Sequence, residues 1–194
     1  VTAVAGRSAL VLWSGIAVAA MFALGWAVGT GSTPLDDWFH RFRHSPARWL
    51  LFFTDPWLLT ILLLFGVAVA MHRRRRRLAV VIVVTPLVGI ALVQLLKRFF
   101  GRHNGSALAY PSGHTTAAVV VLGMLVLVAG AAWWAVAIAA SITVLVMIGQ
   151  GVTYHYFTDA LGAALLGSAL VCAAALTAEL DRRQPECDAD HTGG

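Results

Sequence analysis

From Thr115 to Tyr154 the chain runs forty residues without one Asp, Glu, Lys or Arg. An ordinary soluble domain carries charge on about a quarter of its residues. A helix crossing the hydrocarbon of a bilayer needs about 20 apolar residues. The run is therefore read as two crossings, with a tight turn between them at Gly130 to Trp134. The whole chain agrees: 194 residues, 59% hydrophobic and 12% charged, with mean hydropathy +0.80. This composition excludes a water-soluble globule, a disordered chain and a coiled coil, and about six crossings with their links use up the length.

The other crossings follow from apolar runs. The first covers about Ser8 to Gly29 behind Arg7; it is longer than a signal peptide's apolar region and lacks a small-residue cleavage site, so it reads as a retained span. A polar stretch from Thr30 to Arg48, with Asp36, Asp37, Arg41 and Arg43, is expected as a short amphipathic helix or loop at the surface. The second span is placed at Trp49 to Met71, with Asp55-Pro56 bending it or delaying its start. The third runs from Leu78 to Leu96. Gly101 to His114 is a loop rich in turn residues. The fourth and fifth share the charge-free run, and the sixth covers Thr158 to Ala178. The expected architecture is all-α: one polytopic domain of six transmembrane helices over residues 1–178, followed by a polar tail, 179–194, expected to be disordered.

Charge sets the sidedness. The net charge is +5, but five of the 14 basic residues form one run, Arg73 to Arg77, between two apolar stretches. Such a run is the mark of a short cytoplasmic loop rather than of a nucleic-acid surface. Alternation then puts both termini in the cytoplasm, with Arg7, Arg182 and Arg183. Arg41, Arg43, Arg48, Lys97, Arg98 and Arg102 fall outside. Eight basic residues against six is a weak bias, and the arginine run decides the orientation. Cys172 and Cys187 offer neither a disulfide framework nor metal-ligand spacing, and both are expected as free thiols.

Ionisable groups near membrane depth are costly and point to function. Three clusters emerge on one face by the alternation above: Lys97 with Arg102 after span three, Tyr110-Pro111-Ser112-Gly113-His114 before span four, and His155 with Asp159 between spans five and six. If the last pair is helical, the four-residue spacing puts both on one side, where the carboxylate fixes the imidazole tautomer and frees the other nitrogen as nucleophile or base. The structural alternative is a helix start capped by Thr158 or Asp159. Pro-Ser-Gly-His opening a helix presents free N–H groups and the positive dipole end to an anion, with Ser112 adding a hydroxyl and His114 a proton; the alternative is a plain Ser-Gly cap. Lys97 and Arg102 alone are equally read as cations reaching for headgroups. Together the clusters make a phosphate site with an in-line nucleophile, and phosphoryl transfer chiefly needs positioning and charge neutralisation. Neither a metal nor a cofactor is expected.

This ordered set resembles the type 2 phosphatidic acid phosphatase family, membrane lipid phosphate phosphatases that share a helical core with vanadium haloperoxidases. The family's motifs are Lys-x6-Arg-Pro, Pro-Ser-Gly-His and Ser-Arg-x5-His-x3-Asp. The second is complete here at Pro111 to His114, and the latter half of the third at His155 to Asp159. The resemblance implies His155 as a nucleophile forming a phosphohistidine, Asp159 as its orienter and His114 as general acid. It further implies phosphate binding by Lys97, Ser112 and the Gly113 N–H. Two departures stand out. Asn104-Gly105 occupies the Arg-Pro position, where Arg102 is the nearest substitute, and Ile148-Gly149 occupies the Ser-Arg position, where Gln150 is a neutral candidate.

The function expected from these readings is a metal-independent lipid phosphate or diphosphate phosphatase. Its substrate would be a polyprenyl carrier lipid or a phospholipid phosphate, reached at the outer face of the cytoplasmic membrane. Phosphotransfer to a sugar or lipid acceptor, and non-catalytic binding or transport of a lipid phosphate, are the alternatives. The partners implied are the bilayer and its lipid phosphate, not nucleic acid.

Overall fold

The structure, a computed structural model, describes residues 2–179; Cys187, Arg182, Arg183 and the expected tail beyond Glu179 lie outside them. The chain folds as a helical bundle: α1 (Thr2–Val28), α2 (Pro34–His40), a 3-10 helix (Pro46–Thr54), α3 (Pro56–His72), α4 (Arg76–Phe100), α5 (Gly113–Val128), α6 (Trp133–Thr153) and α7 (Phe157–Glu179). Two-residue strands β1 (His103–Asn104) and β2 (Ala107–Leu108) pair antiparallel in the link before α5. Among the described residues, five helical segments are long and apolar enough to cross a membrane, and α5 is a shorter apolar helix. With α5 as the sixth span, the architecture is the expected all-α membrane bundle.

At 16 residues, α5 is about 24 Å long, less than the ~30 Å hydrocarbon thickness. It is the enclosed helix, packed against α3, α4, α6 and α7, with ten of its residues buried. By contrast, α1 leaves Val11, Leu12 and Ile16 exposed, as lipid-facing positions require. Apolar packing alone does not hold helices together in lipid, so close backbone approach must contribute. Here α5 and α7 meet through glycines. A Cβ on Gly167 would stand 2.7 Å from Val119 Cγ1, and one on Gly123 would be closer still to Val171.

The second span is interrupted at Asp55-Pro56, as expected: the 3-10 helix ends at Thr54, and α3 begins at Pro56. Asp55 caps α3, its Oδ1 accepting from the Leu58 N–H at 2.9 Å, and proline at the first helical position needs no partner for its missing N–H. The polar segment after α1 is only partly at the surface. Asp37 is exposed, whereas Asp36 is fully buried, because it is paired with a buried arginine described below.

The arginine run turns between α3 and α4. Arg73 Nη1 donates to the Val128 carbonyl, 3.2 Å away, at the C-terminal end of α5. The start of α5, the end of α4 and the α6–α7 link lie together at the opposite end. The 25 residues of α4 separate the two ends by about 37 Å.

Candidate active site

The start of α5 is built by capping. Ser112 Oγ accepts from the Thr115 N–H at 3.4 Å, and Thr116 Oγ1 donates to the Ser112 carbonyl at 2.9 Å. The Ser112 N–H donates to the Asp159 carbonyl at 3.1 Å. That last bond ties the Pro-Ser-Gly-His turn to the first turn of α7. Tyr110, just before it, is buried and donates its hydroxyl to the Met21 carbonyl of α1; burial, with the charge of Asp159 adding to it, pushes its phenol well above the usual range.

His155 lies in the non-helical link between α6 and α7, so a shared helix face does not account for its pairing. The link itself does: the His155 N–H donates to the Gln150 carbonyl at 3.0 Å, and Asp159 sits in the first turn of α7. His155 Nδ1 is buried without another partner and faces Asp159 Oδ2 at 3.8 Å. The same Oδ2 accepts from the Tyr156 N–H at 3.3 Å, so Asp159 both caps the helix start and backs the imidazole. The rings of His114 and His155 stand 6.3 Å apart, centroid to centroid.

One cavity of about 520 Å³ brings these groups together, with Lys97, Gly113, His114 and His155 on its wall. A Cβ on Gly113 would meet only Val93 Cγ1 at 3.7 Å, so packing does not demand glycine there; its absence leaves the helix start open toward the cavity. The rest of the wall is mostly apolar, from Leu59 and Leu63 of α3, Val83, Leu87 and Ile90 of α4, and Val121 of α5. Val83, Leu87 and Ile90 are also exposed, so the cavity opens sideways along α4. Its size and mixed wall suit a small-molecule ligand with an apolar body and a polar head.

Three expected site residues, the ligands Ser112 and Arg102 and the orienter Asp159, are not on that wall. Ser112 and Asp159 are fully buried behind it. Arg102, expected to hold phosphate, is spent on the protein, and this corrects the sequence reading. It is 1% exposed, and each of its five N–H donors is taken. Nε and Nη2 donate to the Gly31 carbonyl at 3.1 and 2.8 Å, and Nη2 also to Asp36 Oδ2 at 2.8 Å. Nη1 donates to Thr158 Oγ1 and Asp159 Oδ1, both at 2.7 Å. A guanidinium has five donors and no more, so none remains for a substrate.

The two departures from the family motifs have local causes. A Cβ on Gly149 would meet Leu50 Cβ at 2.8 Å and the Leu50 backbone carbon at 3.1 Å. The 3-10 helix fills the space an arginine there would need. Gln150 is buried and donates to Thr54 Oγ1 at 3.0 Å, and Thr54 lines the cavity. Asn104 Nδ2 donates to the Tyr154 carbonyl at 3.1 Å, strapping the hairpin beside His155. Sequence reasoning missed Asp36, Thr54 and Thr158. A signal for Asp36 was present, since Thr33-Pro-Leu-Asp36 has capping-box spacing, and both bonds of that box form.

The fold is similar to that of the first transmembrane PAP2-type phosphatidylglycerolphosphate phosphatase from Bacillus subtilis, with a TM-score of 0.56 and 21% sequence identity, over 93% of this chain and 98% of that one. No family model matches the sequence, and no curated protein matches it. The likeness establishes the fold: a multi-pass, all-α membrane bundle.

Proposed function

We propose that the protein is a membrane lipid phosphatase of the type 2 phosphatidic acid phosphatase family, cleaving a lipid phosphate or diphosphate through a phosphohistidine at His155. One observation carries the reading: His155, His114 and Lys97 share the polar end of a single apolar cavity, with Asp159 directly behind His155. The solved structure of similar fold, a phosphatidylglycerolphosphate phosphatase, supports a lipid phosphate as substrate class. A polyprenyl phosphate would fit the same chemistry.

The negative charge of Asp159 favours the His155 proton on Nδ1, the nitrogen facing it, which leaves the Nε2 lone pair to attack phosphorus in line with the ester oxygen. The P–O bond breaks as the N–P bond forms, and His114 gives its proton to the departing oxygen. Water then attacks the phosphoryl group and passes a proton to His114; the N–P bond breaks, releasing phosphate and restoring both histidines. Lys97 and the N–H groups at the start of α5 neutralise the charge on the phosphoryl oxygens. The lipid tail stays along the α4 side of the cavity while its head reaches the histidines.

Phosphotransfer to another acceptor uses the same first half. A non-catalytic binder is favoured by one observation, the loss of both motif arginines together with the engagement of Arg102. Purified protein in detergent separates these readings. With EDTA present, the wild type releases phosphate from phosphatidic acid or a polyprenyl diphosphate, and His155→Ala does not. Equal rates in the two proteins would refute the assignment, and a rate that depends on an added acceptor would favour transfer.

The arginine run supports an orientation. With Arg73 to Arg77 at one end of the bundle, the positive-inside rule favours that end in the cytoplasm, and in this reading the histidines face outward from the cytoplasmic membrane.

A further inference from the structure

The short helix α2 carries a buried carboxylate that the proposed chemistry does not use. Asp36 is fully buried. Its Oδ1 accepts from the Thr158 N–H at 2.9 Å, and its Oδ2 accepts from Arg102 Nη2 at 2.8 Å. Thr158 Oγ1 stands 3.0 Å from both carboxylate oxygens. Arg102 in turn holds Asp159 Oδ1 at 2.7 Å, and Asp159 faces His155. Two ring contacts of α2 fall on the same link: Phe39 stacks on Phe157 at 4.0 Å and His40 on Tyr156 at 5.4 Å, while the Arg102 guanidinium lies over the Tyr156 ring at 4.5 Å. Thus α2 clamps residues 156–158, the span between nucleophile and orienter.

Charge gives the clamp its chemical content. One guanidinium between two carboxylates leaves one net negative charge in a buried cluster, and a buried uncompensated charge is costly. Lys97 at the cavity and His155 are the neighbours able to supply positive charge, and it is His155 that faces the Asp159 carboxylate. Were Asp36 neutral, Arg102 and Asp159 would balance each other, and the field favouring a protonated or phosphorylated imidazole would fall. We infer that Asp36 is a positioning residue for the proposed phosphatase reaction. It offsets the charge of Arg102, so that Asp159 remains an effective negative partner for His155. This rests on the reading of His155 as nucleophile. The ionisable groups around the imidazole are Asp159 and Arg102 behind it, His114 of α5 and Lys97 of α4 at the cavity, and Asp36 and His40 on α2.

The test is a charge-balance cycle in the full-length protein in detergent: wild type, Asp36→Asn, Arg102→Gln and the double variant. His155 titration is read by NMR of ¹⁵N-histidine-labelled protein, with its signal assigned by loss in His155→Gln, and beside it the acidic limb of kcat/KM. In Asp36→Asn both midpoints move about one pH unit lower, because a negative charge is gone; in Arg102→Gln they move higher; in the double variant they return close to wild type. For Asp36→Asn the loss falls mainly on kcat, with KM within about threefold. Variants that lose activity without opposed shifts would show α2 to be packing alone and overturn the inference. If one single variant does not fold, the other single and the double variant still test sign and restoration. The NMR midpoints need no turnover, so an inactive wild type would defeat the phosphatase reading while leaving the charge balance measurable.

Discussion

Asp36 and Arg102 invert what their residue types suggest. An aspartate in a polar loop and an arginine at a span's end normally face water or headgroups, yet both are buried and matched to each other. Burial alone would raise the Asp36 carboxyl. Hydrogen bonds from the Thr158 backbone, from the side chain and backbone of Thr33 and from Arg102 outweigh it and hold the carboxyl below its ordinary value of 3.8. A carboxyl depressed in the folded state contributes stability that is complete above the unfolded value and lost as pH falls through the folded one. Stability followed by thermal unfolding with tryptophan fluorescence is therefore expected to fall less in Asp36→Asn than in wild type as pH is lowered through and below 3.8. An equal or steeper loss in the variant would contradict the burial of this charge.

Among the elements, α4 and α5 divide the work. The α5 start presents the turn proposed to face phosphate, and α4 supplies Lys97 and much of the apolar wall. Pro86, on that wall, lacks the N–H a helix interior requires. Ala117→Phe, at a half-buried wall position, should fill the tail channel without touching the histidines. Losing the burial of about two methylenes, at ~0.8 kcal/mol each, corresponds to a rise of roughly tenfold in KM for a long-chain lipid phosphate. Hydrolysis of a short soluble phosphate ester by the same variant should be nearly unchanged. A parallel loss on both substrates would place the tail elsewhere. The elements were the most legible part of the sequence: length and hydropathy located the spans, and the Pro-Ser-Gly-His turn starts α5 as expected. What could not be read was the partner of each polar group. Nothing in the spacing says that α2 folds back onto residues 156–158, or that the 3-10 helix fills the space beside Gly149. Those contacts join residues far apart in the chain, and their geometry is set by helix packing rather than by local pattern.

At the scale of the whole molecule, the bundle puts a cationic end and the end holding the histidines about 37 Å apart, the length of α4. Between them lie an apolar exterior and a side-opening cavity, an arrangement that suits the proposed uptake of substrate from a leaflet. With both cysteines replaced, a cysteine at Asn104 should react in whole cells with an impermeant thiol reagent, and one at His72 should not. The reverse pattern would turn the protein over in the membrane. The central claim is the covalent step at His155. Phosphorus-labelled lipid phosphate, mixed with purified protein and quenched in alkali, which spares phosphohistidine, is expected to leave label on the wild-type peptide containing His155 and none on His155→Ala. Label elsewhere, or phosphate release by wild type with no labelled peptide at any mixing time, would contradict the account.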